Sequence, residues 1–477
     1  MTPRKYDISN DVTLWTRNDE LSSFSNVADT CNLSKDVNLQ KKGVSTEAQL
    51  YDPYDYGNQQ KSTSFWETVF HLYMISSGPA LLSIPKNFMA VGYVYGCLLV
   101  CLIFLYYWYA MRMITNVEYT LCKLKRQPKM TYAETIYTAF DEGPAQIKWF
   151  APYSSIIIQI LYCVTWIGSL NIVLAGENLQ ISLQNSYHTY FSVSQCILYI
   201  FVPLLLLTLI HRLKYLVPAS VVGSGIVAVC IITVLYQGLA DPSSLRMPPA
   251  FGNISEIPTC LAAILFTVNA TGLMLPLKNE MKTPKSFNSN FGVLTVSFFP
   301  MTLLYLLFNM LSSMKYGSSL KSSVIENLPE DSVLAQIIIF LFAVSLVLQY
   351  PLITYVVFDT IWNNMMVQKR KTMKTPLFWE YFTRIMILLV SFIIAYGIPN
   401  INVFMSISGT VGTATDSLIF PALAETLVKR KMGCHGLRMV VNYVKNGCIF
   451  ILAVILIVVG LYNCIVEIEN TYDSHKE

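Results

Sequence analysis

Apolar residues in this chain come in long runs rather than in the amphipathic stripes of soluble helices. The runs lie near 68–87, 93–114, 152–174, 194–210, 216–236, 257–276, 292–312, 333–358, 380–398, 401–424 and 446–466. Each approaches the roughly 20 residues needed to cross a bilayer core. In hydrocarbon every backbone polar group must be satisfied inside its own segment, so each run predicts a helix. The pattern as a whole predicts an all-α integral membrane protein with eleven transmembrane helices.

Residues 1–65 are polar, with nine acids against seven bases, and show neither the basic start nor the apolar core of a cleaved signal peptide. They predict a disordered cytoplasmic tail, followed by a membrane domain over 66–466 and a short non-cytoplasmic tail over 467–477. Placing the first tail inside fixes the side of every later loop. The inner loops then carry nineteen Lys and Arg and the outer loops three, the bias expected because positive charge resists translocation. The net charge of +4 thus reflects topology, not nucleic-acid affinity.

Composition narrows the class further. With 54% hydrophobic and 13% charged residues, 477 residues imply one large membrane domain instead of several soluble ones. The eleven cysteines form no CxxC pair and no Cys/His cluster at metal spacing. Cys196 and Cys260 fall near outer helix ends and pairing is open to them, but packing within the membrane core is the preferred reading. No phosphate loop, hydrolase serine elbow or zinc motif is present, so no enzyme, bound metal or cofactor is expected.

Two runs are interrupted. SSGPALLSIPKN, Ser76 to Asn87, places Gly78, Pro79 and Pro85 inside the first, and NATGLMLPLKNEMK, Asn269 to Lys282, places Gly272 and Pro276 inside the sixth. Proline removes a donor and clashes with the preceding turn. The freed backbone groups cannot face lipid and must meet protein or a water-filled cavity. The breaks share a local form, LLSIP beside GLMLP, and open the two halves of a five-plus-five arrangement, with the eleventh helix appended. Interrupted helices at matching positions of two halves mark secondary transporters with inverted repeats.

The same stretches resemble the amino acid/auxin permease family and, within it, the proton-assisted amino acid transporter branch. HLYMISSGPALLSIPKNFMAVGYVYG, His71 to Gly96, is similar to that branch's first-helix signature, and GLMLPLKNEMKTPKSF, Gly272 to Phe287, to its sixth. GENL at 176–179, LQY at 348–350, IPN at 398–400 and Pro421 resemble parts of its third, eighth and tenth helices. The likeness covers about 60–466. It implies a fold of the leucine-transporter type, with broken helices 1 and 6, and alternating-access transport of small neutral amino acids. Substrate backbone groups would be held by Ser76, Ser77, Gly78 and Ala80 of the first break, and by Asn269, Ala270, Thr271 and Gly272 of the sixth. Met74, Ser76 and the Gly78-Pro79-Ala80 triplet depart from the family's first-helix pattern, and its sixth-helix acid falls at Asn269.

Polar residues within spans are expensive and usually functional. His71 matches the family's first-helix histidine, and histidine as a residue type has an ordinary pKa of about 6.5, so it is a candidate proton carrier as well as a packing histidine. Asp416, in GTVGTATDSLIF, either supplies the acid missing at Asn269 or approaches the inner mouth to meet Arg384 or a loop lysine. The second reading is preferred. Ser345 matches a hydroxyl position of the eighth helix, though a serine bonding its own helix carbonyl is commoner. Arg112 and Glu118 lie near an inner helix end and are expected to snorkel. The Asn253-Ile-Ser sequon lies outside and is a glycosylation candidate.

The expectation is a carrier of small neutral amino acids with the proton as coupling ion, in the plasma membrane or a lysosomal or vacuolar membrane. Its partners are those amino acids and the lipid bilayer, not nucleic acid, and its oligomeric state is open. The rivals are a transporter-like sensor that signals through the first tail, and a sodium-coupled or uniport carrier.

Overall fold

The computed structural model of the chain describes residues 51–54, 63–76, 78–166, 168–187, 190–210, 213–240, 242–329, 332–366, 375–397, 401–433 and 435–474. Residues 1–50, Ser77, the 398–400 link and the last three residues lie outside this description. The described residues are helical, and their only strand-like contact is an isolated bridge between Thr63 and Met281.

The first apolar run is cut into three pieces: α1 (Phe65–Ser76), a 3₁₀ turn (Pro79–Ser83) and α2 (Ile84–Val91). Gly92, at φ +84°, then turns the chain into α3 (Tyr93–Lys125). That left-handed conformation suits glycine, and a Cβ there would sit 2.6 Å from the Gly252 nitrogen. A short helix, α4 (Tyr132–Asp141), starts on a capping box in which Thr131 and Glu134 satisfy each other's backbone N–H groups. The third run forms α5 (Ala151–Thr165) and α6 (Ser169–Tyr187). The first half closes with α7 (Val193–Thr208) and α8 (Leu213–Ala240).

The second half repeats the plan. The sixth run breaks into α9 (Ile257–Val268) and α10 (Thr271–Glu280), followed by α11 (Val293–Tyr316), α12 (Val333–Asp359) and α13 (Pro376–Gly397). The tenth run begins as α14 (Ile401–Ser406), widens into π-helical turns over Ile407–Thr413 and Thr415–Ile419, and ends as α15 (Phe420–Lys431). A long α16 (Leu437–Ser474) completes the chain. Nine helices among the described residues are long and apolar enough to span a membrane, and Val193–Thr208 is a shorter apolar one.

Equivalent elements of the two halves pack on each other: α6 on α12, α3 on α11, and α1 and α2 on α9. Between lipid-solvated helices the hydrophobic effect gives little drive, and association rests on close packing. Glycines permit it in the tenth run, where Gly409 lies against the Ala262 carbonyl and Gly412 against Thr165. Residues such as Ile451, Ile455 and Val458 of α16 face outward, as lipid contact requires. Cys196 and Cys260 are buried and free, which answers the pairing question left open above.

Candidate functional site

Both helix breaks open onto one cavity of about 550 Å³, whose wall includes Gly78, Ala80, Asn269 and Gly272. From the breaks it runs past Tyr132, Glu280 and Asp359, toward the Lys- and Arg-rich loops. The cavity opens on the side of those loops. The third run adds a break of its own at Gly168, φ +81°, where a Cβ would come within 2.7 Å of the Tyr350 ring. Gly168 and its neighbours Trp166 and Ser169 also line the cavity. The sequence carries no Gly-Pro signal there, and that break is not anticipated.

The freed backbone groups have specific partners. Tyr305 donates its hydroxyl to the Ser76 carbonyl at 2.6 Å, and the Leu81 N–H returns to the Gly78 carbonyl at 3.0 Å. At the second break the Ala270 N–H donates to the Tyr107 hydroxyl oxygen at 2.7 Å, and the Thr271 N–H to Asn269 Oδ1 at 3.1 Å. The breaks are therefore built features, each tied to a helix of the opposite half.

From Ala270 a chain of hydroxyls leads to Asp416. Tyr107 Oη and Thr271 Oγ1 are 2.9 Å apart, Thr271 Oγ1 and Ser417 Oγ 2.8 Å, and Ser417 donates to Asp416 Oδ1 at 2.9 Å. With Asp416 as a carboxylate, Ser417 donates to it, so Thr271 donates to Ser417 and Tyr107 to Thr271; with Asp416 protonated, either oxygen of each hydroxyl pair can be the donor. Asp416, Ser417, Thr271 and Tyr107 are at most 1% exposed. Asp416 Oδ2 and the Asn269 amide nitrogen are both buried without a strict hydrogen bond, although the Asn269 side chain faces that carboxyl. Tyr132, which lines the cavity, donates its hydroxyl to the Asp416 carbonyl oxygen.

This placement corrects the preferred reading of Asp416. Arg384 pairs instead with Glu380 of its own helix at 3.3 Å, and Asp416 stands beside Asn269, at the sixth-helix break. A π-helical turn, common at functional sites, carries it there. Glu118 is corrected too. It is 2% exposed and ion-paired with the equally buried Lys278 of α10, so it does not snorkel. Arg112 bonds Asn288 and lies over Trp108.

Of the remaining predicted residues, His71 lines the cavity on α1, half-buried. Ser76 is fully buried, and Ser77 lies outside the described residues. Ser345 is buried, bonds its own helix carbonyl at Phe342 (2.7 Å) and is not part of the cavity wall. Asn253 is exposed and caps a short turn through Ser255 N–H. Tyr107 and Ser417 carry no signal of their own in the sequence, because a tyrosine or serine in an apolar run reads as packing, and Tyr132 and Lys278 lie in polar segments between runs. Among the described residues no group of His, Cys, Asp and Glu is arranged to hold a metal.

Known proteins agree with this geometry. The chain is 27% identical over 92% of its length, and 93% of the relative's, to the proton-coupled amino acid transporter-like protein pathetic of Drosophila melanogaster. It is 24% identical to vacuolar amino acid transporter 4 of Saccharomyces cerevisiae, over 59% of this chain and 43% of that one. Its fold is similar to the inward-facing conformation of Mhp1, with a TM-score of 0.55, 10% identity and coverage of 87% and 92% of the two chains. It also resembles MhsT in complex with L-phenylalanine, with a TM-score of 0.50, 11% identity and coverage of 85% and 100%. These are folds of the leucine-transporter type. Residues 61–466 match the profile of the transmembrane amino acid transporter proteins, and the chain belongs to that family, as a multi-pass membrane protein that transports amino acids and is not an enzyme.

Proposed function

We propose that this protein carries small neutral amino acids across its membrane by alternating access, coupled to protons through Asp416. The observation that carries the reading is the hydroxyl chain that links the Ala270 N–H to the Asp416 carboxyl. It joins the helix break that would hold the substrate to a buried carboxyl without a cationic partner. Burying a charge alone is costly, so the charge of Asp416 must follow what reaches its carboxyl past Asn269. A change there reorders the donors down to the backbone of the break.

A zwitterion suits the breaks themselves. The N-terminal end of α10 presents the positive end of its dipole at Gly272, favourable to a carboxylate. The C-terminal carbonyls of α9, at Phe266 and Thr267, favour an ammonium. Around them the wall is uncharged, with Ile75, Ala80, Leu174, Val221 and Phe404, which supports neutral side chains. His71, Glu280 and Asp359 belong to the cytoplasmic part of the wall. The names of the relatives support both coupling and an acidified compartment such as a vacuole or lysosome, with the plasma membrane as the alternative.

Uptake into proteoliposomes tests the proposal. One pH unit across the membrane is worth about 1.4 kcal/mol, so one coupled proton supports about tenfold accumulation. Asp416→Asn is expected to abolish pH-driven accumulation and keep downhill exchange, while His71→Gln lowers rate more than accumulation. Full pH-driven accumulation by Asp416→Asn, with its loss in His71→Gln, would move the coupling site to His71. No pH dependence in the unmutated protein would refute proton coupling.

A further inference from the structure

The cytoplasmic end of α10 is gripped by residues that precede α1. Lys278, close to that end, is buried in its ion pair with Glu118 of α3. The ring of Tyr54 covers this pair, with Lys278 Nζ 5.5 Å from its centroid. The same ring stacks on Tyr119 of α3, at 4.9 Å between centroids and 22° between planes. Burial, with Glu118 next, holds the Tyr54 hydroxyl above the usual phenol range, so the ring stays a neutral cover. Asp52 accepts the Tyr54 N–H at 3.1 Å and pairs with Lys285, just beyond α10, at 2.9 Å. Pro53 between them is buried. Thr63 adds a third hold: its N–H donates to the Glu280 carbonyl at 3.3 Å, and its carbonyl accepts the Lys282 N–H at 2.9 Å.

The other end of α10 forms the wall of the cavity at Gly272. Ten helical residues span about 15 Å, and one rigid helix cannot move at the break without moving at Lys278 and Glu280. Contacts that exist in only one access state stabilise that state by their differential strength. We propose that residues 51–54 are a latch on α10, holding the state seen here with the cavity open to the cytoplasm. Through that latch Asp52 and Tyr54 bias the balance of access states at the substrate site. The inference concerns which state is held, and does not depend on the cargo or the coupling ion.

Thiol accessibility tests it in the full-length chain. Ala133 lines the cytoplasmic part of the cavity, so Ala133→Cys reports opening through its rate of labelling by an impermeant maleimide in inside-out vesicles, measured against the chain without that substitution. Tyr54→Ala and Asp52→Lys are each expected to slow labelling by about two- to tenfold, the range that a lost ring stack or exposed ion pair confers. Asp52→Lys combined with Lys285→Asp should restore it. Labelling that is unchanged or faster in both single variants, at normal membrane levels, overturns the latch, as does a charge swap that fails to restore the rate. If Tyr54→Ala does not reach the membrane, Asp52→Lys and the swap decide the matter.

Discussion

Breaking the Glu118–Lys278 pair from one side should cost far more than removing both partners. Lys278 is 1% exposed and Glu118 2%. At contact distance their attraction is about 4 kcal/mol at an effective dielectric of 20, while desolvating each ion costs several kcal/mol, so the intact pair is near balance. Lys278→Met upsets that balance. It leaves a buried carboxylate whose other contacts are the Met130 N–H at 3.4 Å and the Cys122 thiol at 3.5 Å, neither able to replace a cation. The expected loss is about 3–5 kcal/mol, the usual penalty for an orphaned buried charge. Glu118→Gln keeps an acceptor for Met130 but strands the ammonium beneath the Tyr54 ring, at a similar cost. The double variant Glu118→Gln/Lys278→Met removes both charges and should return to within about 1 kcal/mol of the unmutated protein. The coupling from the double-mutant cycle would then reach about 3 kcal/mol or more. Equilibrium unfolding of the purified protein in mixed micelles measures all four species. If the single losses simply add in the double variant, the two charges are not compensating each other and the account is wrong.

Two further outcomes rest on other features. At Gly409 a Cβ would lie 2.1 Å from the Ala262 carbonyl oxygen, backbone against backbone, whereas at Gly225 nothing lies within 4 Å. Gly409→Ala should therefore cost about 1–3 kcal/mol by overpacking and sharply reduce uptake, with Gly225→Ala unchanged in both; equal behaviour would refute the close-packing argument. Glu326, in the turn Val324–Asn327 that rests on the Pro79–Ser83 turn, is buried with Oε1 unpartnered. Burial pushes its carboxyl up to about 7, against the opposing pull of Lys321, the Ser323 backbone and Lys86. The folded state thus holds a proton that the unfolded state releases, so this contribution is full below the ordinary glutamate range and is lost as pH rises through about 7. Stability should fall over that window, and Glu326→Gln should flatten the fall; a variant with an unchanged pH profile would exclude Glu326 as its source.

The long apolar runs and the Gly-Pro interruptions were legible in the residues because lipid leaves the backbone few options. A run of 20 apolar residues must be helical, and a proline within it must expose polar groups that need a cavity or a protein partner. Gly78, Ala80, Asn269 and Gly272 reach one cavity wall for that reason. The Gly168 break was not legible, since its cause is a fit against Tyr350, far along the chain. The chain from Ala270 to Asp416 was hidden in the same way. It joins α3, the start of α10 and a π-helical turn, across sequence separations of 163, 164 and 146 residues, and no local pattern encodes which hydroxyls will meet. Glu118 read as a snorkelling charge because distance to a helix end can be counted in sequence, whereas Lys278 is brought to it only when α10 packs on α3. Local chemistry in a membrane decides where helices start, stop and break. Which side chains then share a buried site is decided by packing, because the attraction that fixes it acts only over a few ångströms between helices the sequence keeps far apart.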